Sequence, residues 1–241
     1  VGTSAGGQHP KAILAIHTQT GEIRSGQLDW PKEYKYYILK FAENTVFPHT
    51  QVEMAYYNMA IAMGVNMMPS QLKWINGQYH FLTERYDRQN GERIHTQTLA
   101  AMSETACSYE DLMTVARRLG VSQMEQEQLF RRMVMNVLGG NVDDHSKNFA
   151  FMLPRNGGWQ ITPAYDVTFT VAMKAMPYAN YHQLSMRGKV ANITEEDLLA
   201  FAKENSIKNA ASVIDDVENV LSACWTYLMD AGVSRYWADK I

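Results

Sequence analysis

The sequence predicts an α+β protein of two lobes, a small sheet-rich lobe first and a mostly helical lobe after it. Short apolar runs bounded by turn residues crowd the first ninety positions, and apolar residues at helical spacing dominate from about residue 95. At 241 residues, 46% apolar and 20% charged, the chain is long enough to bury a sizeable core.

Residues 10–16 (Pro-Lys-Ala-Ile-Leu-Ala-Ile) and 35–41 (Lys-Tyr-Tyr-Ile-Leu-Lys-Phe) read as strands. Residues 50–63 carry Val52, Ala55, Tyr56, Met59, Ala60 and Met63 at helical spacing, and Gly64 stops the run. Leu72–Ile75 and Tyr79–Tyr86 flank Asn76-Gly77, the strongest short hairpin signal. Helices are expected over Tyr109–Leu119 before Gly120, Gln123–Leu138 before Gly139-Gly140, and Thr194–Glu204, where Thr194 and Asp197 approximate a capping box. The tail from Ser212 to Ile241 is helical in pattern. Two polar, aperiodic stretches, 139–148 and 154–190, remain as loops, and long irregular segments in a compact domain tend to carry function.

Composition removes several function classes. No apolar run approaches the ~20 residues of a bilayer span. A formal charge of −3 disfavours a surface built to neutralise phosphate backbone. Two cysteines, Cys107 and Cys224, make neither a disulfide framework nor a cysteine zinc cluster, so a cytoplasmic setting is expected. Fifteen methionines read as adaptable core filler. The chain opens at Val1 rather than Met, as a processed protein or a fragment would.

The densest polar cluster is Gly139-Gly-Asn-Val-Asp-Asp-His-Ser-Lys-Asn148, followed by the strand-like Phe149-Ala-Phe-Met-Leu153. Asp143 and Asn148 stand as in a phosphoryl-transfer loop, where an Asp accepts the substrate hydroxyl proton and an Asn holds Mg²⁺; a solvated turn is the competing reading. Trp159-Gln-Ile-Thr-Pro-Ala-Tyr-Asp166 follows after a Pro-Arg-Asn-Gly-Gly turn, and a hairpin there returns Asp166 to the Asn148 end of the loop. Carboxylate and amide oxygens suit Mg²⁺; a turn or helix-cap role for Asp166 competes. A small-residue loop, Gly2-Thr-Ser-Ala-Gly-Gly-Gln-His-Pro-Lys11, suits phosphate contact by backbone N–H groups, against a disordered terminus. Lys40 lies in an apolar strand ahead of a helix bearing Glu53, either snorkelling at an edge or pairing as in kinases.

Together these clusters resemble the HipA-like serine/threonine kinases, the toxin kinases of bacterial toxin–antitoxin modules. The resemblance rests on Ser4-Ala-Gly-Gly-Gln-His-Pro-Lys11, Tyr37-Ile-Leu-Lys40-Phe, Leu82-Thr-Glu-Arg-Tyr-Asp-Arg88, Gly140-Asn-Val-Asp-Asp-His-Ser-Lys-Asn-Phe149 and Ile161-Thr-Pro-Ala-Tyr-Asp166. It implies a protein-kinase-like fold, with residues 1–88 as the lobe of the glycine-rich loop and strand lysine and residues 89–241 as the helical lobe. It implies Asp143 as catalytic base, Asn148 and Asp166 as catalytic Mg²⁺ ligands, and Lys40 on the α and β phosphates of ATP. Ser4, Gly6, Gly7 and Lys11 belong to the glycine-rich loop, and Glu84, Arg85 and Tyr86 form the adenine-contacting hinge. His145 and Lys147 steady the γ-phosphate, with a structural role for His145 equally open. Ser4, or its neighbour Thr3, is an expected autophosphorylation site. Asp144 has no defined role in the resemblance and is expected to be solvated or substrate-facing. The family carries a further N-terminal subdomain that this sequence does not show.

The implied activity is transfer of the ATP γ-phosphate to a Ser or Thr of a protein substrate. Implied partners are a HipB-type antitoxin, and DNA only through that antitoxin. A catalytically silent binding module and a small-molecule kinase are the alternatives. Direct DNA binding by a helix-turn-helix over Thr194–Glu204 and the helix from Ala210 is disfavoured, because the second helix carries Asp215, Asp216 and Glu218.

Overall fold

The computed structural model describes residues 10–43, 46–170 and 180–241. It begins with strands β1 (Lys11–His17), β2 (Ile23–Ser25) and β3 (Tyr34–Lys40), then helix α1 (His49–Ala62), then β4 (Ser70–Ile75) and β5 (Gln78–Glu84). These five strands form one antiparallel sheet in the order β2-β1-β3-β5-β4. The β4–β5 turn sits at Asn76 and Gly77, both at positive φ (51° and 81°), the conformation whose twist matches the flanking strands. Helix α1 packs on β4 and β5 and buries Val52, Ala55, Tyr56, Met59 and Ala60, the spacing its sequence shows.

Cross-strand register positions the site. Lys11 pairs with Lys40 and Ile13 with Ile38, so these four residues share one face of the sheet, because side chains alternate along a strand.

After a two-stranded hairpin, β6 (Arg88–Gln89) and β7 (Glu92–Arg93), come strand β8 (His95–Thr98) and helices α2 (Leu99–Met102), α3 (Tyr109–Arg118) and α4 (Gln123–Leu138). Strands β9 (Ala150–Leu153) and β10 (Gln160–Ile161) follow, then α5 (Glu195–Glu204), α6 (Ala210–Leu221), α7 (Cys224–Asp230) and α8 (Arg235–Ala238). Strand β8 departs from the expectation, which beyond residue 95 places strands only at 149–153 and just ahead of Asp166. It pairs with β9, which pairs with β10, so the helical part carries a second antiparallel sheet. His95-Thr-Gln-Thr98 is polar throughout and shows no apolar alternation; the pairing partner defines this strand.

Three of the helix starts follow one chemistry. Ser108 and Asp111 open α3, Ser122 and Glu125 open α4, and Thr194 and Asp197 open α5, each pair a complete capping box that satisfies otherwise orphaned N–H groups. Phe130 of α4 and Phe201 of α5 stack at 6.4 Å inside the main core. Helix α6 packs on α4 and buries Val213, Ile214 and Val217, while Asp215, Asp216 and Glu218 stay exposed. Helix α7 packs on α1, and Trp237 of α8 donates its indole N–H to the Val46 carbonyl at 2.9 Å. Among the described residues no helix is long and apolar enough to cross a membrane.

Asp197 is held at about 2, below the usual carboxylate range, first by the Lys189 ammonium and then by the Thr194 N–H. A depressed carboxyl stabilises the fold above its unfolded pKa and loses that contribution as pH falls through its folded value. Asp197→Asn should therefore lower the melting temperature at pH 7, and the gap to the wild type should shrink as pH falls from about 4 toward about 2. Thermal unfolding across that range checks it; a gap independent of pH would refute the ion pair's role.

Candidate active site

Lys40 ends β3 with its ammonium on the shared sheet face. Its Nζ lies 2.5 Å from Glu53 Oε1 on α1 and also pairs with the Asp166 carboxylate. Burial pushes this ammonium down, but the two carboxylates more than reverse the effect and hold it above its ordinary value. A lysine enclosed by two acids is not snorkelling to solvent. For Asp166 burial pushes the carboxyl up, yet the Lys40 ammonium wins and keeps it below the ordinary range.

The segment that delivers Asp166 is fastened at each step. The Thr162 N–H donates to the Ala150 carbonyl at 3.0 Å, and Arg132 of α4 donates to the Thr162 carbonyl at 2.5 Å. The Ala164 N–H donates to the Asn66 carbonyl at 2.8 Å, in the loop after α1. The Tyr165 hydroxyl donates to the Lys147 carbonyl at 2.8 Å, so the hairpin returns Asp166 to the Asn148 end of the polar loop. Asp166 itself has φ of 53°, a left-handed conformation that Asp tolerates better than most residues. Arg132 is buried, which pushes its guanidinium down to about 10, and its Nε has no partner among the described residues.

The polar loop starts where α4 stops. A Cβ on Gly139 would sit 2.6 Å from the Met135 carbonyl oxygen, so a larger residue there forces the helix end to move. Beyond it the Asp143 side chain is 61% exposed, with His145 Nε2 at 3.9 Å from its carboxylate. Asn148 donates its amide N–H to the Asp143 carbonyl at 2.8 Å, which leaves the amide oxygen as the end that can meet a cation. Lys147 is exposed.

Asp144 corrects the expectation of a solvated or substrate-facing carboxylate: it is 0% exposed. Its Oδ2 accepts from the Tyr109 hydroxyl at 2.5 Å and pairs with His182 Nδ1 at 2.8 Å, and its Oδ1 accepts from the Gln183 N–H at 2.7 Å. A carboxylate can be buried only when its oxygens are so satisfied. Thr170 is a second residue the motifs do not reveal. Its Oγ1 accepts from the N–H groups of Val142 (2.8 Å) and Asp143 (3.1 Å) and donates to Asn141 Oδ1 at 3.3 Å. Asn141 then donates to Asn136 at 2.9 Å, and Asn136 to the Tyr109 hydroxyl at 3.2 Å. His182 and Thr170 lie in the aperiodic stretch, and Tyr109 reads only as a helix start, so no spacing rule marks them.

At the end of β5 the Glu84 N–H is taken by the Pro69 carbonyl and its carboxylate by Lys35, and the Arg85 N–H is taken by the Tyr36 carbonyl. Tyr86 stacks on Tyr165 at 5.8 Å, and burial pushes its phenol up to about 12. A cavity of about 470 Å³ opens beside this hinge, with Ile13, Ile38 and Arg85 in its lining. Lys11 is close enough to Asp166 to help depress its carboxyl. Ser4, Gly6 and Gly7, with Thr3, lie outside the described residues. Among the described residues no group of three or more His, Cys, Asp or Glu converges as a self-sufficient metal cage. One carboxylate plus one amide oxygen is the donor set of a cation that keeps its other positions for phosphate and water, as Mg²⁺ does.

The sequence profile of the family described as the HipA-like C-terminal domain matches residues 3–225. The chain belongs to this family. Two curated relatives share the name "Putative kinase". One, Y4mE of Sinorhizobium fredii, is 23% identical over 222 residues, covering 81% of this chain and 53% of that protein. The other, from Haemophilus influenzae, is 27% identical over 104 residues, covering 37% of this chain and 30% of that protein. Among solved structures, the fold matches HipA of Shewanella oneidensis MR-1, described in a complex of that toxin–antitoxin system's HipA and HipB with operator DNA. The TM-score is 0.71 at 18% identity, over 95% of this chain and 58% of that one. The fold is therefore the kinase-like fold of HipA, and the chain spans about half the length of the Sinorhizobium and Shewanella proteins.

Removing Lys40 should cost stability before any activity is measured. Lys40→Met takes the Lys40 ammonium away from Glu53, whose side chain is 12% exposed, whereas Asp166 at 41% exposure can hydrate. The expected loss is about 3 kcal/mol, the lower end for a broken buried pair. Denaturant unfolding at pH 7 checks it, and a loss under about 1 kcal/mol would show that the pair is effectively solvated.

Proposed function

We propose that this HipA-like domain is an ATP-dependent serine/threonine protein kinase of the toxin type, cytoplasmic, with residues 1–88 and 89–241 as its two lobes. The observation that carries the reading is the convergence of Lys40, Glu53 and Asp166 beside an exposed Asp143. His145 links the two acids, at 3.9 Å from Asp143 and close enough to Asp166 to lower its carboxyl.

In this reading Lys40, oriented by Glu53, meets the α and β phosphates. Lys11 and the loop of Ser4, Gly6 and Gly7 cover them, and His145 and Lys147 steady the γ-phosphate. The purine lies against Ile13 and Ile38 and meets the hinge backbone at Glu84 and Tyr86. Asn148 and Asp166 hold Mg²⁺, which when bound neutralises charge on the β and γ phosphates. Asp143 accepts the proton as the acceptor hydroxyl oxygen bonds to the γ-phosphorus and the bond to the ADP oxygen breaks. Such a base is worth about 10²–10⁴ in rate.

A HipB-type antitoxin is the proposed partner, with DNA reached only through it; the complex described for the Shewanella protein supports this. The acidic exposed side of α6 is consistent with no direct DNA contact.

Asp143→Asn and Asp166→Asn should each reduce phosphate transfer from labelled ATP to whole-cell protein by about 10² or more. Magnesium-dependent ATP binding, followed by calorimetry, should survive in Asp143→Asn and weaken in Asp166→Asn. Unreduced transfer by either variant would overturn its assignment. Failure of the wild type to bind ATP with magnesium would favour the silent module, and labelling of small metabolites alone would favour a small-molecule kinase.

A further inference from the structure

The hydrogen bonds around Asp143 close on themselves. They run from the Asp143 N–H to Thr170 Oγ1, then through Asn141 and Asn136 to the Tyr109 hydroxyl, and end on Asp144, the next residue in the chain. Each donor and acceptor in this circuit is consistent with its neighbours. Thr170 accepts twice and donates once, each Asn donates from nitrogen and accepts on oxygen, and the Tyr109 hydroxyl accepts from Asn136 and donates to Asp144. Burial and the Asp144 carboxylate both hold the Tyr109 phenol well above its ordinary value, so it stays a donor.

The circuit also binds the segment after Asp166 at two points. Thr170 holds the backbone on the N-terminal side of Asp143, at Val142 and Asp143 itself. His182 and the Gln183 N–H hold the carboxylate on its C-terminal side. Asp143 is the one carboxylate of the pair left facing solvent, and among the described residues its side chain meets His145 at 3.9 Å, too long for a hydrogen bond to fix its direction. Its aim is set by the backbone, and the backbone is set by the circuit.

We infer that Asp144 is the positioning residue for Asp143, and that His182 is the contact through which the backbone at 182–183 sets the direction of the catalytic carboxylate. This rests on the reading of Asp143 as base. A misaimed base lowers the rate of the chemical step, since small displacements of a reacting group cost about 10²-fold, while Lys40, Glu53 and Asp166 continue to hold nucleotide.

The test uses the full chain with Asp144→Asn, His182→Leu and His182→Asn. Asp144→Asn puts an N–H where an acceptor is needed. His182→Leu deletes one donor of three, and His182→Asn places an amide N–H near the position of Nδ1. The first two should lower kcat by about tenfold or more with the KM for ATP within about twofold, and His182→Asn should restore kcat to within about threefold of wild type. Amide hydrogen exchange gives a reading that needs no catalysis: Val142 and Asp143 should exchange about tenfold faster in the first two variants, with α4 unchanged. Unchanged kcat in His182→Leu, no recovery in His182→Asn, or faster exchange spread evenly over α3 and α4 would overturn the inference. If Asp144→Asn does not fold, His182→Leu decides alone. Wild-type transfer by Asp143→Asn would instead refute the base, and the exchange data would still decide whether Asp144 holds the loop.

Discussion

One buried ammonium ties the molecule together. Lys40 is the last residue of β3, Glu53 lies one turn into α1, and Asp166 follows β10, so a single cation joins two neighbouring elements to a segment 126 residues further on. Taking that charge out of water is tolerable only because two carboxylates meet it. The requirement acts on everything around it. The sheet must present the cleft face of β3 in register with β1, α1 must bring Glu53 over β5, and the β9–β10 hairpin must return Asp166 to the same point. The contacts of Arg132, Asn66 and Lys147 along 162–166 are the means by which the last of these is met.

The same logic recurs in the polar loop. Asp144 is buried beside the exposed Asp143, so two adjacent carboxylates stand in opposite surroundings, one enclosed by donors and one facing solvent. The buried one recruits Tyr109 from α3, His182 from the late loop and, through the two asparagines, Thr170. Fully satisfied networks of this kind define a single arrangement, which a reaction centre needs and an apolar core alone does not supply.

Much of this was legible in the sequence because local rules governed it. Asn76-Gly77, the apolar spacing of α1, and the stops at Gly64, Gly120 and Gly139 place elements within a residue or two of where they lie. Ser108 with Asp111 and Ser122 with Glu125 carry the same capping signature as Thr194 with Asp197, so these three helix starts were written as plainly as the stops. The site motifs were visible because several chemistry-bearing residues fall within a few positions of one another. What was not legible is tertiary. Strand β8 is polar and exists because β9 runs beside it. Asp144 reads as a surface acid until Tyr109 and His182, dozens of residues away on either side, are folded onto it. No period or motif encodes such a contact, and Thr170 is invisible for the same reason.

The left-handed backbone of Asp166 bears on how the site can be probed and how it can drift. At φ of 53° an L-residue pays a steric penalty that a short polar side chain offsets through local hydrogen bonding, so Asn inherits the conformation almost free of charge. Alanine lacks that compensation, and valine or isoleucine adds a branched Cβ that the conformation resists. Neutral drift at this position is therefore channelled toward Asn, which removes the charge and keeps the backbone shape. A descendant carrying Asn there would keep the backbone of its parent and differ from it in charge alone.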